Sequence, residues 1–264
     1  MNEIPASFLK QRNPVVKLGV LLLLSLSLTT IFDPVTPAVF AVMGFLATWV
    51  LGGIHPGRLL RTLVPVGIAG IGILVANTLF GRGLPNDTVL AAWGPFTVTD
   101  GRLMIGGSVA VRLLAFASLS LCFALTTEPG DFILSLIQQL RLNYRVAYGV
   151  LVGYRMLSLL QSEYHHIRAA QRARGLVEGR GLVAAVRRFR RYAVPLLAGA
   201  VRRAGRVALA MDARAFGAYP QRTYRLRLGV GWRDWAFAGG AVALGATAVL
   251  TLSALEVTRF GVGI

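Results

Sequence analysis

The sequence predicts an all-α integral membrane protein, and three observations carry that prediction. Hydrophobic residues make up 55% of the chain and its mean hydropathy is +0.62, which exceeds what soluble domains usually show. The apolar residues gather into long runs with almost no charge inside them. The charges outside these runs are strongly basic, with 28 Lys and Arg against 11 Asp and Glu. Together these features place the chain in the membrane class.

Five stretches are long enough to cross a bilayer. Each has 17 or more residues, and a helix rises about 1.5 Å per residue against a bilayer core of roughly 30 Å. Asp33-Pro34 closes the first stretch and His55-Pro56-Gly57 closes the second. The predicted spans are residues 15–32, 38–54, 63–80, 103–126 and 235–253.

The distribution of basic residues predicts the orientation, because cytoplasmic loops collect Lys and Arg. With the N-terminus inside, the segment 127–234 is cytoplasmic and holds 19 arginines. The outer side then receives only three arginines, Arg82, Arg102 and Arg259. The predicted cytoplasmic side also holds Lys10, Arg12, Lys17, Arg58 and Arg61. We therefore expect a cytoplasmic N-terminus and a C-terminus on the outer side of the cell membrane.

The segment 127–234 contains two apolar pieces that are poor candidates for spans. Residues 192–201 cover only about 15 Å of helix, and arginines crowd both sides of them. Residues 146–160 include Arg155 and directly follow Arg145. Charges in these positions are expensive in a bilayer. Both pieces are therefore predicted to belong to long amphipathic helices at or below the cytoplasmic face.

The limits of these helices can be read from their end signals. A short helix is expected after Glu128-Pro129-Gly130, with Asp131 in its first turn. One long helix is expected over 144–174, ending at Gly175, and a second over 182–216, ending near Gly217. Pro195 should kink the second helix, because proline removes a backbone donor.

Small residues in the third and fifth spans recur at a spacing that permits close helix approach. The pairs are Gly72/Ala76 and Gly239/Ala243. We expect them to pack within this chain, and a partner membrane protein is the alternative.

Several chemistries are disfavoured by the sequence. A P-loop ATPase needs a lysine in its glycine-rich loop, and no lysine follows Lys17. The spans hold no Asp, Glu or His, so an ion-coupled carrier is disfavoured. Arg112 is expected to snorkel or pair with backbone carbonyls, and the adjacent His165 and His166 point to different faces of a helix. No enzymatic activity and no cofactor or metal site is expected, and Cys122 is read as a packing residue.

A short motif occurs at the predicted end of each long helix. Residues 170–175 read AQRARG and residues 211–217 read MDARAFG. In each, an Ala-Arg pair stands beside a small residue, so that an arginine could enter a narrow groove and meet a carboxylate through both nitrogens. Ala-Arg pairs recur elsewhere in this arginine-rich chain, so coincidence is the alternative reading. The motif residues are Ala173, Arg174 and Gly175 with Ala213, Arg214 and Ala215, supported by Arg172, Phe216 and Gly217.

These motifs, preceded by TTEPGD at 126–131, resemble the transmembrane T component of energy-coupling-factor (ECF) transporters. The resemblance covers most of the chain: four early spans, long cytoplasmic coupling helices and a final span. The family signature is an Ala-Arg-Gly-type motif on each coupling helix. It matches fully at Ala173-Arg174-Gly175, whereas the second copy has Ala215 in place of the frequent glycine.

The resemblance implies an ABC-type importer for B vitamins, cobalt, nickel or other micronutrients. Two cytoplasmic ABC ATPases would each bind one motif, with Arg174 and Arg214 inserted into acidic grooves. A membrane-embedded S component would capture the substrate. The implied organisation is a membrane domain at 1–126, a coupling-helix region at 127–234 and a C-terminal transmembrane helix at 235–264.

Other readings of the chain remain as alternatives. One is an autonomous permease with its own substrate path, and another is a membrane scaffold without ATPase partners. Nucleic-acid binding by the arginines is disfavoured, because the basic segment is too apolar for a solvated arm. Membrane lipid is the expected surrounding of the chain.

Overall fold

The computed structural model describes residues 7–31, 33–81, 88–93, 96–175, 181–219, 224 and 226–254. Within these ranges the chain forms eight α-helices, one π-helical turn and one β-hairpin. In chain order they are α1 (Pro14–Thr29), α2 (Val35–Leu46), the π-helical turn (Ala47–Leu51), α3 (Pro56–Phe80), β1 (Val89–Trp93), β2 (Phe96–Thr99), α4 (Asp100–Thr126), α5 (Pro129–Leu140), α6 (Tyr144–Ala173), α7 (Leu182–Ala213) and α8 (Trp232–Ala254).

The predicted all-α membrane class is confirmed. In the part of the chain that the structure describes, three helices, α3, α4 and α8, are long and apolar enough to cross a membrane, with 25, 27 and 23 residues. The first two predicted spans are shorter, because α1 has 16 residues and the second is completed by the π-helical turn to give Val35–Leu51. Helices of this length reach only about 25 Å. The count of five spans therefore stays a prediction.

Among the described residues, the β-hairpin between α3 and α4 is the only element that is not helical. Its strands are antiparallel, with Val89 opposite Thr99 and Trp93 opposite Phe96. The hairpin is not predicted from the sequence, because strands of five and four residues give too little alternation of apolar and polar residues to stand out from the long apolar runs.

The chain divides into two compact units, one made of Met1–Ser135 with Leu228–Ile264 and the other of Leu136–Arg227. The first unit contains the apolar helices. Its core packs α1, α2 and α4 together around Leu28, Phe40, Ala115 and Leu119, which are at most 9% exposed.

Glycines allow two of these helix pairs to approach closely. A Cβ at Gly44 of α2 would lie 3.2 Å from backbone atoms of Ser118 and Leu119 in α4. A Cβ at Gly106 of α4 would lie 3.1 Å from the carbonyl oxygen of Leu74 in α3. Both positions are already in contact distance with a neighbouring backbone, so a side chain there would push the helices apart.

The prediction of intrachain packing at Gly72 and Gly239 was wrong. At neither glycine does any atom of the described chain lie within 4 Å of a built Cβ. The packed positions are Gly70 of α3, against Ala110, and Gly245 of α8, against Leu24. On a helix these lie on a different face, since Gly70 and Gly72 are separated by about 200° of rotation and Gly239 and Gly245 by about 240°. The small faces at Gly72 and Gly239 are open.

Arg112, the charged residue deepest in a predicted span, donates to the backbone carbonyl of Ile31. This confirms the expected pairing with a backbone carbonyl. Beside it, the fully buried Asp33 accepts from the backbone N–H and the hydroxyl of Thr36, at 2.7 and 2.8 Å. This contact caps the start of α2.

A cluster of buried polar residues joins the segment before α1 to the start of α8. One carboxylate oxygen of Asp234 accepts from the backbone N–H of Asn13 at 3.1 Å, and the other accepts from Gly231 at 3.0 Å. Arg12 Nη1 lies 3.8 Å from Asp234. The side-chain amide of Asn13 also donates to Gly229. The two ends of the membrane unit, far apart in sequence, are thus tied together.

Candidate functional site

Both arginine motifs lie where a long helix ends. Helix α6 ends at Ala173, and Arg174 is the first residue beyond it, with its N–H still donating to the Ala170 carbonyl at 3.2 Å. The N–H of Gly175 donates to Arg172 at 2.9 Å, and Gly175 has a φ of +75°. This left-handed residue terminates the helix. The Arg174 side chain is exposed.

The second motif ends α7 in the same way. Helix α7 stops at Ala213, three residues before the predicted end, and Arg214 follows with its N–H bonded to Met211. The N–H of Ala215 donates to Asp212 at 2.9 Å, and that of Phe216 donates back to Met211 at 3.0 Å. This pair of bonds is a Schellman motif, which satisfies the last carbonyls of the helix.

The third motif residue has the same backbone conformation in both copies. Gly175 has a φ of +75° and Ala215 a φ of +52°. Glycine adopts this region freely, whereas for other residues it costs about 1 kcal/mol or more. The second motif therefore makes the same kind of turn as the first, although it has alanine in place of glycine.

An aromatic cluster holds the second motif in place. The ring of Phe216 lies 5.7 Å from that of Tyr144 and 5.1 Å from that of Tyr148, both in the first two turns of α6. The Tyr144 hydroxyl donates to the Tyr219 carbonyl at 2.8 Å, and the Arg145 guanidinium donates to Gly217. The end of α7 is thus fixed to the start of α6.

A groove of about 370 Å³ lies beside the second motif. Arg214 is at its edge, and Tyr144, Tyr148 and Phe216 form an aromatic wall. It combines an exposed arginine with apolar surface, which suits a protein segment that carries both a carboxylate and an apolar side chain.

The first motif is more exposed than the second within the described chain. Arg172, Ala173, Arg174 and Gly175 are all exposed, and no described atom lies within 4 Å of a Cβ built at Gly175. The two motifs therefore share a backbone geometry but differ in their local support.

Helices α6 and α7 run antiparallel. The start of α6 contacts the end of α7 through Tyr144 and Phe216, and farther along Glu163 of α6 pairs with Arg203 of α7 at 3.3 Å. With 30 and 32 residues the helices are about 45 Å long. Because each motif follows the C-terminus of its own helix, Arg174 and Arg214 lie at opposite ends of the pair.

The two arginines and their positions near helix ends are predicted from the sequence, but the aromatic residues that support the second motif are not. Tyr144 and Tyr148 are four residues apart and so share one face of α6. This spacing alone predicts an aromatic face on the helix. Their partner Phe216 is distant in sequence and could not be assigned. Among the described residues, no group of three or more His, Cys, Asp or Glu is placed to hold a metal ion.

Comparisons with known proteins identify the family. The family model of the cobalt transport protein CbiQ matches residues 5–224. The energy-coupling factor transporter transmembrane protein EcfT of Lacticaseibacillus paracasei is 30% identical over 215 residues, covering 77% of this chain and 80% of its own. EcfT of Brevibacillus brevis is 29% identical over 237 residues, covering 86% and 88%.

A third relative has a different name. A putative ABC transporter ATP-binding protein of Bifidobacterium longum is 30% identical over 216 residues, which are 79% of this chain but 26% of that protein. The match over most of the chain to CbiQ and to two EcfT proteins establishes the family. The chain belongs to the CbiQ/EcfT family, the transmembrane T components of energy-coupling-factor transporters.

Proposed function

We propose that this chain couples two cytoplasmic ABC ATPases to a membrane-embedded S component during micronutrient uptake. Arg174 and Arg214 are the proposed contacts, one for each ATPase. The observation that carries the proposal is the equivalence of the two arginines: each is exposed, follows a helix C-terminus and precedes a left-handed residue.

The antiparallel arrangement of α6 and α7 suits a paired partner. Two antiparallel helices are related by an approximate two-fold axis, which exchanges their C-terminal ends. Such a pair of helices presents two similar binding sites, one at each end of the pair. A dimeric or pseudo-dimeric partner can occupy both sites at once. Two ATPase subunits arranged about a two-fold axis would each receive one arginine.

The charge of the site favours an acidic groove on each ATPase. A guanidinium forms paired hydrogen bonds with a carboxylate, and it is favoured at the negative end of a helix. Inserted into such a groove, the arginine would lose its hydration. Truncating one partner of a desolvated arginine–carboxylate pair weakens binding by roughly 2–5 kcal/mol. The ATP-binding relative is consistent with this partner, since a segment like this chain lies within a protein named as an ATP-binding protein.

Two open surfaces support docking of the S component. At Gly72 of α3 and Gly239 of α8 no described atom of a neighbouring element lies within 4 Å of a Cβ placed on the glycine, which permits close approach by another membrane helix. A stripe of exposed apolar side chains runs along α7, and each of them is 63–87% exposed. The stripe consists of Leu182, Val186, Phe189, Leu197 and Val201. These faces would provide a sliding surface when ATP-driven closure moves α6 against α7.

The proposed setting is the cytoplasmic membrane, with the N-terminus and the segment 127–234 inside. The transported substrate is a vitamin or a transition-metal ion, and its identity would be fixed by the S component. The excess of arginine in 127–234 supports the orientation.

The test is copurification in mild detergent with the ATPases and the S component co-expressed. Arg174→Glu and Arg214→Glu should each deplete one ATPase, because each reverses the charge of one contact. Arg206→Glu is the matched control, since Arg206 is also exposed on α7 but lies two turns before the motif. It should retain both ATPases.

Other outcomes would favour the alternatives. If no ATPase accompanies the wild-type chain, the autonomous permease or scaffold reading gains. If both ATPases remain bound to the two motif variants, the arginines are not the coupling contact.

A further inference from the structure

Two adjoining cavities lie in the unit that contains α1, α2, α4 and α8. They share Lys17 and Thr126 in their walls. One has a volume of about 530 Å³ and a mainly apolar lining that includes Leu24, Phe40 and Leu244. The other has a volume of about 490 Å³, and charged side chains line it. Both volumes are in the range of small-molecule sites, and an apolar cavity next to a charged one matches an amphiphile.

The charged cavity contains buried donors that lack a partner. Arg12 is 7% exposed, and its guanidinium lies 4.3 Å from the Phe8 ring and 3.8 Å from a carboxylate oxygen of Asp234. Its Nε, however, has no hydrogen-bond partner among the described residues, and neither has the buried Oγ1 of Thr127. Arg12 and Thr127 both line the cavity. Buried donors are nearly always satisfied, so these two favour a ligand with acceptor oxygens.

The remaining charges of this cavity have both signs. Arg12 is paired with Asp234, and Lys17 Nζ donates to two backbone carbonyls. The other charged residues in its lining are Lys10, Glu128 and Asp131. For these three, no ion pair occurs within the described part of the chain. A ligand that carries both a phosphate and an ammonium group complements this arrangement, whereas a purely anionic headgroup would meet two carboxylates.

We propose that the two cavities form a site for a phospholipid with a primary-ammonium headgroup, of the phosphatidylethanolamine type. Its phosphate accepts from Arg12 Nε and Thr127 Oγ1, with Lys10 beside it. Its ammonium donates to Glu128 and Asp131, and one acyl chain occupies the apolar cavity. The lipid belongs to the leaflet that faces the C-terminal end of α4. This proposal needs only a membrane setting and does not depend on ATPase coupling.

The headgroup contacts must supply the selectivity. Within a bilayer an apolar cavity gains little from an acyl chain, because the surrounding lipid is equally apolar. A phosphatidylcholine of the same chain length fits the apolar cavity equally well. Its quaternary ammonium, however, carries no N–H to donate to Glu128 or Asp131. The comparison of these two lipids therefore isolates the proposed hydrogen bonds.

The experiment is native mass spectrometry of the full chain after delipidation and exposure to single lipids. The probes are phosphatidylethanolamine, phosphatidylcholine and phosphatidylglycerol with dioleoyl chains. We expect phosphatidylethanolamine to be retained about tenfold more strongly than phosphatidylcholine, as hydrogen bonds to charged groups imply. Glu128→Gln should reduce this preference, whereas Thr127→Val should lower the retention of all three lipids, because each of them carries the phosphate. Equal retention of the two zwitterionic lipids by the wild-type chain would overturn the proposal.

A matched pair of variants tests the acyl cavity. Gly240 lines it, with open space around a built Cβ, whereas the adjacent Gly239 also has open space but does not line it. Gly240→Leu should lower retention of all three lipids, and Gly239→Leu should not. If both variants retain lipid as the wild type does, the cavity holds no lipid. If Gly240→Leu loses only a copurifying membrane protein, the cavity receives a partner helix and the proposal fails. Should Gly240→Leu not fold, the headgroup comparison on the wild-type chain decides.

Discussion

The Nζ atom of Lys17 lies 2.9 Å from the carbonyl oxygen of Thr126, so a buried cation near the start of α1 closes the C-terminal end of α4. The same Nζ donates to the carbonyl of Leu9 at 3.1 Å, and the side chain is 5% exposed. A cation is favoured at the negative end of a helix. In the sequence Lys17 is only an orientation signal, whereas in the fold it joins three segments of the membrane unit.

Replacing Lys17 by methionine should destabilise the membrane unit. Lys17→Met keeps the length of the side chain but removes the donor to two buried carbonyls, and we expect a loss of about 2–3 kcal/mol in the free energy of unfolding. Thermal unfolding in detergent measures it. Lys10→Met is the control, because Lys10 is exposed and should change stability by no more than about 0.5 kcal/mol. An equal effect of the two variants would contradict the structural role.

The third motif position should respond oppositely in the two copies. Ala215→Gly should stabilise the chain by about 0.5–1 kcal/mol, because the left-handed conformation is strained for alanine. Gly175→Ala should cost about 1 kcal/mol for the same reason. Comparison of the unfolding temperatures with the wild type tests both changes. Loss of stability in Ala215→Gly would show that the alanine methyl makes a contact that outweighs its backbone strain.

Phe216 should matter for the second motif and not for the first. Phe216→Ala removes two ring contacts with α6 and should cost about 2 kcal/mol locally. Hydrogen exchange of residues 213–219 should become faster, while that of residues 170–175 stays unchanged. Phe189→Ala is the matched control, since Phe189 of α7 is 74% exposed. Faster exchange at both motifs would indicate a general loosening of the helix pair.

Much of the helical architecture was predictable because local sequence patterns determine where the helices begin and end. The long helix 144–174 was predicted within one residue of α6, since Gly175 supplies the left-handed residue that ends it. The second long helix was predicted to reach Phe216 but ends at Ala213. The turn there is made by Ala215, which carries no sequence signal for a positive φ.

Contacts between distant segments were not predictable from one sequence. Asp234 is the last residue of the predicted cytoplasmic segment, yet its carboxylate accepts a hydrogen bond from the backbone N–H of Asn13, 221 residues away in the sequence. The Gly72/Ala76 spacing predicts packing at Gly72, but the face of α3 that packs contains Gly70. The spacing of residues in the sequence shows which of them share a face of a helix. It does not show which face turns toward a neighbouring helix. The roles of Arg174 and Arg214 stay predictions, since they depend on partners outside this chain.

Two adjacent glycines of α4 should differ sharply in their tolerance of alanine. Gly106→Ala would place a Cβ 3.1 Å from the Leu74 carbonyl oxygen and 3.2 Å from Asn77 Cβ in α3. We expect a cost of about 1–3 kcal/mol, because both helices must move. Gly107 has no described atom within 4 Å of a built Cβ, so Gly107→Ala should be neutral or stabilising by up to about 1 kcal/mol. Unfolding temperatures of the two variants decide. Similar values would contradict the close contact of α3 and α4.

The ion pair between Glu163 and Arg203 should contribute little to the stability of the α6–α7 pair. Its atoms are 3.3 Å apart, but both side chains are a third or more exposed, and such pairs are usually worth about 0.2–1 kcal/mol. The edge contact of Tyr164 with the buried Tyr192, at 5.7 Å, should be the stronger link. A double-mutant cycle with Glu163→Gln and Arg203→Gln measures the coupling energy of the ion pair.

A weak ion pair has a consequence for the proposed motion. If α6 and α7 shift against each other during transport, an exchangeable surface pair offers little resistance, whereas a strong one would favour a single arrangement. We therefore expect Glu163→Gln to leave ATP-dependent uptake within about twofold of the wild type, as a coupling below 1 kcal/mol implies. Uptake in a reconstituted transporter is the measurement, with Arg214→Glu as the reference variant, for which the proposed coupling contact predicts a loss of uptake. A coupling energy well above that range, together with a large loss of uptake in Glu163→Gln, would show that the pair locks α6 and α7 in the geometry that transport requires.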